Sequence, residues 1–232
     1  MTHSYTSVKN AIVSGEICLH YQPICKLSTG AIVGYEALAR WGAMPPPAIA
    51  ALVELHSLEL VWIRRQLNDI DAVLAQVYPP TWCSININQR TLALESLPHL
   101  LNTSPHALGV HIEILESVQL TPKAVAAIAA ISHRHILKAD DIGSVEYGWI
   151  DRIVGNHAQL FHGLKLCRSL TQNILKDQRT ATACEMFVKF AKGYGLEVTA
   201  EWVETLAQAE LLKGWGCDMG QGALFGLAKP WG

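Results

Sequence analysis

The stretch VHIEILESVQLTPKAVAAIAAISHRHILKADD, residues 110–141, reads as one strand, one helix and a second strand. Val110 to Leu115 alternates around isoleucines and has β character, Ala124 to His133 carries helical periodicity, and Ile136 to Asp140 is apolar until it meets two aspartates. Working outward, the same alternation recurs. Ile17 to Tyr21, Ala31 to Leu38, Trp82 to Ile87, Gly163 to Leu166, Val198 to Ala200 and Met219 to Gly222 read as strands or strand ends. Pro47 to Gln76, Leu170 to Tyr194 and Leu206 to Trp215 read as amphipathic helices between them. Alternating β and α elements predict a mainly parallel sheet. Repeated over this length they fit a closed barrel or an open doubly wound sheet, and no strand is followed by GxGxxG or GxxxxGK[ST]. The expected fold is α/β, a (β/α)8 TIM-like barrel, in a single domain over residues 1–232.

Bulk properties agree with one core. Of 232 residues, 50% are hydrophobic and 16% charged, which supplies apolar material for a large interior. A formal charge of -2 offers no broad electropositive surface, so DNA and RNA are not expected partners. No apolar run reaches the roughly 18 residues of a membrane span, and Met1 to Asn10 is polar, so a cytoplasmic protein is expected. Cys18, Cys25, Cys83, Cys167, Cys184 and Cys217 are scattered without a CxxC pair, which predicts reduced thiols. His133 and His135 have no third ligand nearby and read as structural.

Polar residues concentrate at or near strand ends: Glu36, Asn86, Asn88, Glu113, Glu116, Asp140, Asp141, Lys165, Glu201, Glu204 and Gln221. In a parallel barrel all strand C-termini open on one face, so these groups would converge there. Such a cluster is strongly anionic and calls for cations; oxygen donors without cysteine suit Mg²⁺, Mn²⁺ or Ca²⁺. The adjacent Asp140 and Asp141 could serve two ions, and Lys165 could orient water or stabilise developing charge. On spacing alone, phosphoryl chemistry stands only slightly ahead of other barrel chemistries, and each polar group taken singly is better explained as a loop anchor.

The ordered motifs go further. Tyr21-Gln22-Pro23-Ile24, Tyr35-Glu36-Ala37-Leu38-Ala39-Arg40-Trp41, Asn86-Ile87-Asn88, Glu113-Ile114-Leu115-Glu116-Ser117, Asp140-Asp141-Ile142-Gly143, Lys165-Leu166-Cys167-Arg168-Ser169, Ala200-Glu201-Trp202-Val203-Glu204-Thr205 and Gln221-Gly222 together resemble the EAL domain family, over about residues 8–230. The resemblance implies hydrolysis of cyclic di-GMP to linear pGpG. It also implies Glu36, Asn86, Glu113 and Asp140 on a first Mg²⁺ or Mn²⁺, Asp140 and Asp141 on a second, and Ca²⁺ as an inhibitory or substitute ion. Lys165 and Glu201 would position or deprotonate the attacking water. Gln22, Leu38, Arg40 and Gln221 would contact substrate, and Glu116 would anchor the loop after Asp141. A homodimer contact and sensory or GGDEF domains in a longer parent chain are further implied partners.

Some positions depart from the family. In the divergent loop 142–149, Ile142 stands for an aromatic and the Thr-Gly-Tyr-Ser-Ser part of the family's DFGTGYSSL pattern is not recognisable; Cys167 stands for an aspartate, Trp202 for a glycine and Ala223 for a tyrosine. These changes point to altered affinity for the second ion, altered dimerisation or reduced turnover, and they support an alternative in which a weak or inactive EAL domain serves as a cyclic di-GMP receptor or protein-interaction module.

Overall fold

The computed structural model describes residues 3–78, 81–107, 109–143 and 155–231. Eight strands close into a barrel in sequence order: β1 (Cys18–Lys26), β2 (Ile32–Arg40), β3 (Trp82–Ile87), β4 (Val110–Ile114), β5 (Leu137–Ile142), β6 (Gly163–Leu166), β7 (Glu197–Ala200) and β8 (Met219–Gly220). Each coincides with an expected strand to within a few residues at either end, apart from β1, which runs on to Lys26.

The expected parallel arrangement holds from β2 round to β8, but β1 is antiparallel to both its neighbours. The cause is the connection Leu27 to Ala31, which is too short for a crossover helix and therefore forces a hairpin. Gly30 completes that turn at φ +73, its N–H reaching Lys26 O at 2.8 Å.

The main helices are α1 (Tyr5–Ser14), α2 (Pro46–Leu55), α3 (Glu59–Leu74), α4 (Pro122–Ser132), α5 (Gln178–Gly193) and α6 (Leu206–Trp215). The last matches its expected bounds, fixed by a Thr205/Gln208 capping box and by Gly216 in the left-handed region. Two expected helices are broken. Pro47 to Gln76 divides into α2 and α3 because Ser57 turns left-handed at φ 53, with Ser57 N–H to Glu54 O and Leu58 N–H to Val53 O closing a Schellman motif. Leu170 to Tyr194 divides into a single turn, Arg168–Thr171, and α5, whose N-terminus is capped by Asp177. Helix α1 lies in the polar segment that offered no apolar stripe; Val8, Ala11 and Ile12 are its buried residues.

Strand register divides the side chains into two sets. Ile85, Ile87, Ile112, Ile114, Leu164, Leu166 and Val198 face the helices, and all are essentially inaccessible. Their neighbours along each strand face inward and are mostly polar: Glu36 pairs with Ser84, Asn86 with Glu113, Glu113 with Lys138, and Lys165 with Thr199. The barrel is thus held by its outer apolar jacket and leaves its interior to charge. Its floor is Trp82, stacked on His111 at 4.2 Å, with Gly34 opposite; a Cβ on Gly34 would fall 2.4 Å from the indole.

Lys138 lies above that floor, 1% exposed, its Nζ 4.3 Å from the Trp82 ring centroid and without a hydrogen-bond acceptor among the described residues. Burial pulls its pKa below the ordinary lysine value. Lys138→Met keeps the packing and removes a poorly solvated ammonium, so it is expected to stabilise the protein by about 1–3 kcal/mol in thermal or urea denaturation.

Candidate functional site

The inward positions of five strands meet at the Lys165 ammonium. Its Nζ lies 3.2 Å from Glu36 Oε2, 3.0 Å from Glu113 Oε2, 3.2 Å from Asp140 Oδ1 and 2.6 Å from Glu201 Oε1. Glu36 is central in β2, Glu113 and Lys165 are the penultimate residues of β4 and β6, Asp140 is in the second half of β5, and Glu201 follows β7. Apart from Glu36, the cluster thus lies in the C-terminal halves of its strands or just past them, where the sequence placed it. Amides complete it: Asn86 Nδ2 donates to Glu36 Oε1 at 2.8 Å, and Gln221 Nε2 donates to Glu36 Oε2 at 2.7 Å and to Gln22 Oε1 at 3.1 Å. Gln22 Nε2 in turn donates to Gly226 O at 3.2 Å.

Burial makes these charges interdependent. Desolvation works against the Lys165 cation, yet the four carboxylates outweigh it and hold the ammonium well above its ordinary pKa. Burial pushes Glu113 up to about 7 and Glu201 up to about 8, in both cases against the pull of Lys165. Asp140 is raised for the same reason. Burial also raises Glu36, but Lys165 and the amide donors from Gln221 and Asn86 more than offset it, leaving this carboxyl below its usual value. Asp141, at a left-handed φ of 47, is pushed up to about 6 by burial and by Asp140 and Glu116.

These shifts fix the sign of a pH dependence. Groups raised in the folded protein bind protons that the unfolded chain releases near 3.8 for Asp141 and 4.5 for Glu113 and Glu201, so their stabilisation is complete below those values and is lost as pH climbs through about 6–8. In chelator, the thermal midpoint is expected to fall between pH 5 and 8.5, by the equivalent of a few kcal/mol. Saturating Mn²⁺ is expected to reverse most of that fall in the same melting experiment.

Among the described residues, four buried oxygens around the cluster accept no hydrogen bond: Asn86 Oδ1, Glu113 Oε1, Asp140 Oδ1 and Gln221 Oε1. Asp140 Oδ1 is within ion-pair distance of Lys165 but off the ammonium's hydrogen-bond direction. An all-oxygen set of unpaired acceptors suits a hard divalent ion. Among the described residues no three His, Cys, Asp or Glu side chains already grip a common point. The carboxylates are gathered on Lys165 instead, and holding an ion would require them to turn outward from it.

A cavity of about 650 Å³ opens above the cluster, lined by Gln22, Glu36, Arg40, Asp140, Glu201 and Gln221, with Asp141 and Trp202 also on its wall. Leu38 does not share it. That side chain lines a neighbouring hollow of about 510 Å³ with Asn86, Glu116, Asp140 and Asp141. The structure thus gathers the expected site residues in one region: Glu113 and Lys165 are buried beneath the cavities, Leu38, Asn86 and Glu116 lie on the second compartment, and the others are on the wall of the first. Sequence reading missed Gly222, Leu227 and Ala228 on the first wall, whose small or apolar side chains carry no chemical signal. It also missed Lys138, a cation hidden in an apolar run.

Cys167 is buried, its Sγ 2.8 Å from Ser169 Oγ, so a thiol and a hydroxyl stand where the family resemblance implied a carboxylate. Gly143 passes so close to Leu170 that a Cβ would lie 2.2 Å from its Cδ1. The following divergent residues, 144–149, lie outside the described residues. All six cysteines are free. His135 is buried with its ring nitrogens 3.3 Å from Val110 O and 3.2 Å from Leu101 O, which agrees with its structural reading. Among the described residues no helix is long and apolar enough to cross a membrane.

Comparison with known proteins follows the same lines. The probable cyclic di-GMP phosphodiesterase PdeB of Escherichia coli is 30% identical over 246 residues, matching 96% of this chain and 45% of its own length. The chain therefore spans less than half of the first curated relatives it matches. The PaMucR phosphodiesterase in complex with c-di-GMP superposes with a TM-score of 0.82 at 22% identity, over 97% of this chain and 96% of that one. Klebsiella pneumoniae BlrP1, solved as a calcium and cyclic di-GMP complex, superposes with a TM-score of 0.77 at 18% identity, over 99% of this chain and 59% of that one. The family profile of the EAL domain matches residues 6–230, and with the closed barrel and its ordered motifs it establishes that the chain belongs to the EAL domain family.

Proposed function

We propose that this barrel hydrolyses one phosphodiester of cyclic di-GMP to give linear pGpG, with Mg²⁺ or Mn²⁺ as cofactor. The observation that carries the reading is the convergence of Glu36, Glu113, Asp140 and Glu201 on one buried lysine beneath an open cavity, with unpaired oxygens left over. Glu36, Asn86, Glu113 and Asp140 would hold a first ion, and Asp140 with Asp141 a second. Divalent ions there supply positive charge that acidifies water and steadies the phosphoryl oxygens.

The chain's own groups do the rest. Glu201, raised to about 8, would accept a proton from attacking water in its ionised form, whose share grows as pH rises towards 8, and Lys165 beside it would orient that water and offset the growing negative charge. Gln22, Arg40 and Gln221 would seat the phosphates from the cavity wall, Leu38 would shape the adjoining compartment, and Glu116 would anchor the chain leaving Asp141. On this reading the domain would act in the cytoplasm, and a homodimer and sensory or GGDEF domains in a longer parent chain would be its partners.

Purified protein supplied with Mn²⁺ and cyclic di-GMP is expected to release pGpG steadily. A second reading, a receptor with very slow turnover, is favoured by one observation: Cys167, with its Sγ 2.8 Å from Ser169 Oγ, offers a thiol where the family resemblance implies a carboxylate that would serve the second ion. Tight binding of cyclic di-GMP without product would select it.

A further inference from the structure

We infer that Trp202 is a stacking platform for a purine base, a specificity determinant particular to this chain and resting on the cyclic di-GMP reading above. Trp202 lies on the wall of the main cavity and is 42% exposed. It packs into neither hydrophobic cluster of the protein, so core formation does not account for a residue of this size at that place.

Its backbone conformation is unfavourable for a bulky side chain. Trp202 sits at φ 54, a region in which only glycine is comfortable. The conformation is imposed from both sides: Glu201 N–H donates to Leu166 O at 3.2 Å, Val203 N–H to Gln221 O at 3.0 Å, and Val203 O accepts from Leu224 N–H at 3.1 Å. The approach of Gly222, whose Cβ would lie 2.4 Å from the Val203 backbone, locks the segment further. Strain tied down this firmly at a cavity wall points to use of the side chain.

The ring is also pre-oriented. The Arg168 guanidinium covers one indole face, Cζ 4.0 Å from the ring centroid, and is itself held by Nε donating to Gln172 Oε1 at 2.9 Å. One face is thereby taken, and the exposed remainder of a rigid indole meets the cavity. A planar heterocycle is what such a face stacks against, and a guanine of the cyclic dinucleotide supplies one. The alternation guanidinium, indole, purine places an aromatic contact beside Glu201 without adding a charge to a crowded site.

The test is calorimetric titration of cyclic di-GMP in Ca²⁺ into wild type, Trp202→Gly and Trp202→Phe, with KM measured in Mn²⁺ and melting curves for each. Trp202→Gly is expected to weaken binding roughly 10- to 100-fold and to raise KM in parallel, while Trp202→Phe recovers most of the loss. Trp202→Gly is also expected to melt at a higher temperature, because glycine relieves the left-handed backbone. Affinity loss without unfolding is the signature of stacking. A Trp202→Gly protein that melts higher yet binds cyclic di-GMP within threefold of wild type overturns the platform and leaves the phosphodiesterase reading standing. Wild type that neither binds nor cleaves cyclic di-GMP overturns both.

Discussion

Lys165→Met is expected to cost about 3–5 kcal/mol of stability in chelator and to abolish measurable cleavage. The ammonium is 1% exposed and is the common partner of Glu36, Glu113, Asp140 and Glu201, so its loss leaves four buried carboxyls without their shared cation in chelator. They can respond only by taking up protons or by drawing water into the barrel, and both weaken the fold at neutral pH. The variant should therefore melt far below wild type at pH 8 and recover part of the difference at pH 5. Divalent ions should rescue its stability, since they supply the missing charge, but not its turnover, since the water-orienting group is gone. Equal melting points for the two proteins at pH 8 in chelator would show that Lys165 is not the electrostatic centre of the interior.

Glu36→Ala is expected to lower cleavage of cyclic di-GMP by about 10³-fold, equivalent to roughly 4 kcal/mol of lost transition-state stabilisation. Glu36 holds its charge more firmly than the other buried carboxyls because Asn86 and Gln221 both donate to it alongside Lys165. Its removal frees Asn86 and Gln221 to reorient and takes one oxygen donor from the proposed first ion. Mn²⁺ affinity, read by calorimetry, should fall together with the rate. Unchanged Mn²⁺ affinity in Glu36→Ala would remove this carboxylate from the ion site.

The barrel was readable from sequence because its outward strand positions, such as Ile85, Ile112, Leu164 and Val198, form apolar runs with the period of a buried strand. The site was readable because Glu36, Glu113, Asp140 and Lys165 interrupt those runs with charge, which a strand tolerates only where the barrel interior can balance it. The reversed β1 was not legible: Gln22 alternates in the same way whichever direction its strand runs. Nor was the break at Ser57, since a serine in the left-handed region lacks the glycine that ordinarily marks such a turn. Lys138 carries no local sign that its ammonium ends over Trp82, because that contact spans two strands separated in sequence. The partition of the mouth into two compartments, with Leu38 on the second, depends on helix packing that periodicity does not encode.

The most direct measurement is anomalous diffraction from crystals equilibrated with Mn²⁺. Density is expected within bonding distance of Glu36, Asn86, Glu113 and Asp140, with the carboxylates turned away from Lys165, and a second peak beside Asp141. Full Mn²⁺ occupancy elsewhere on the protein, with those four side chains still closed on the lysine, would contradict the account.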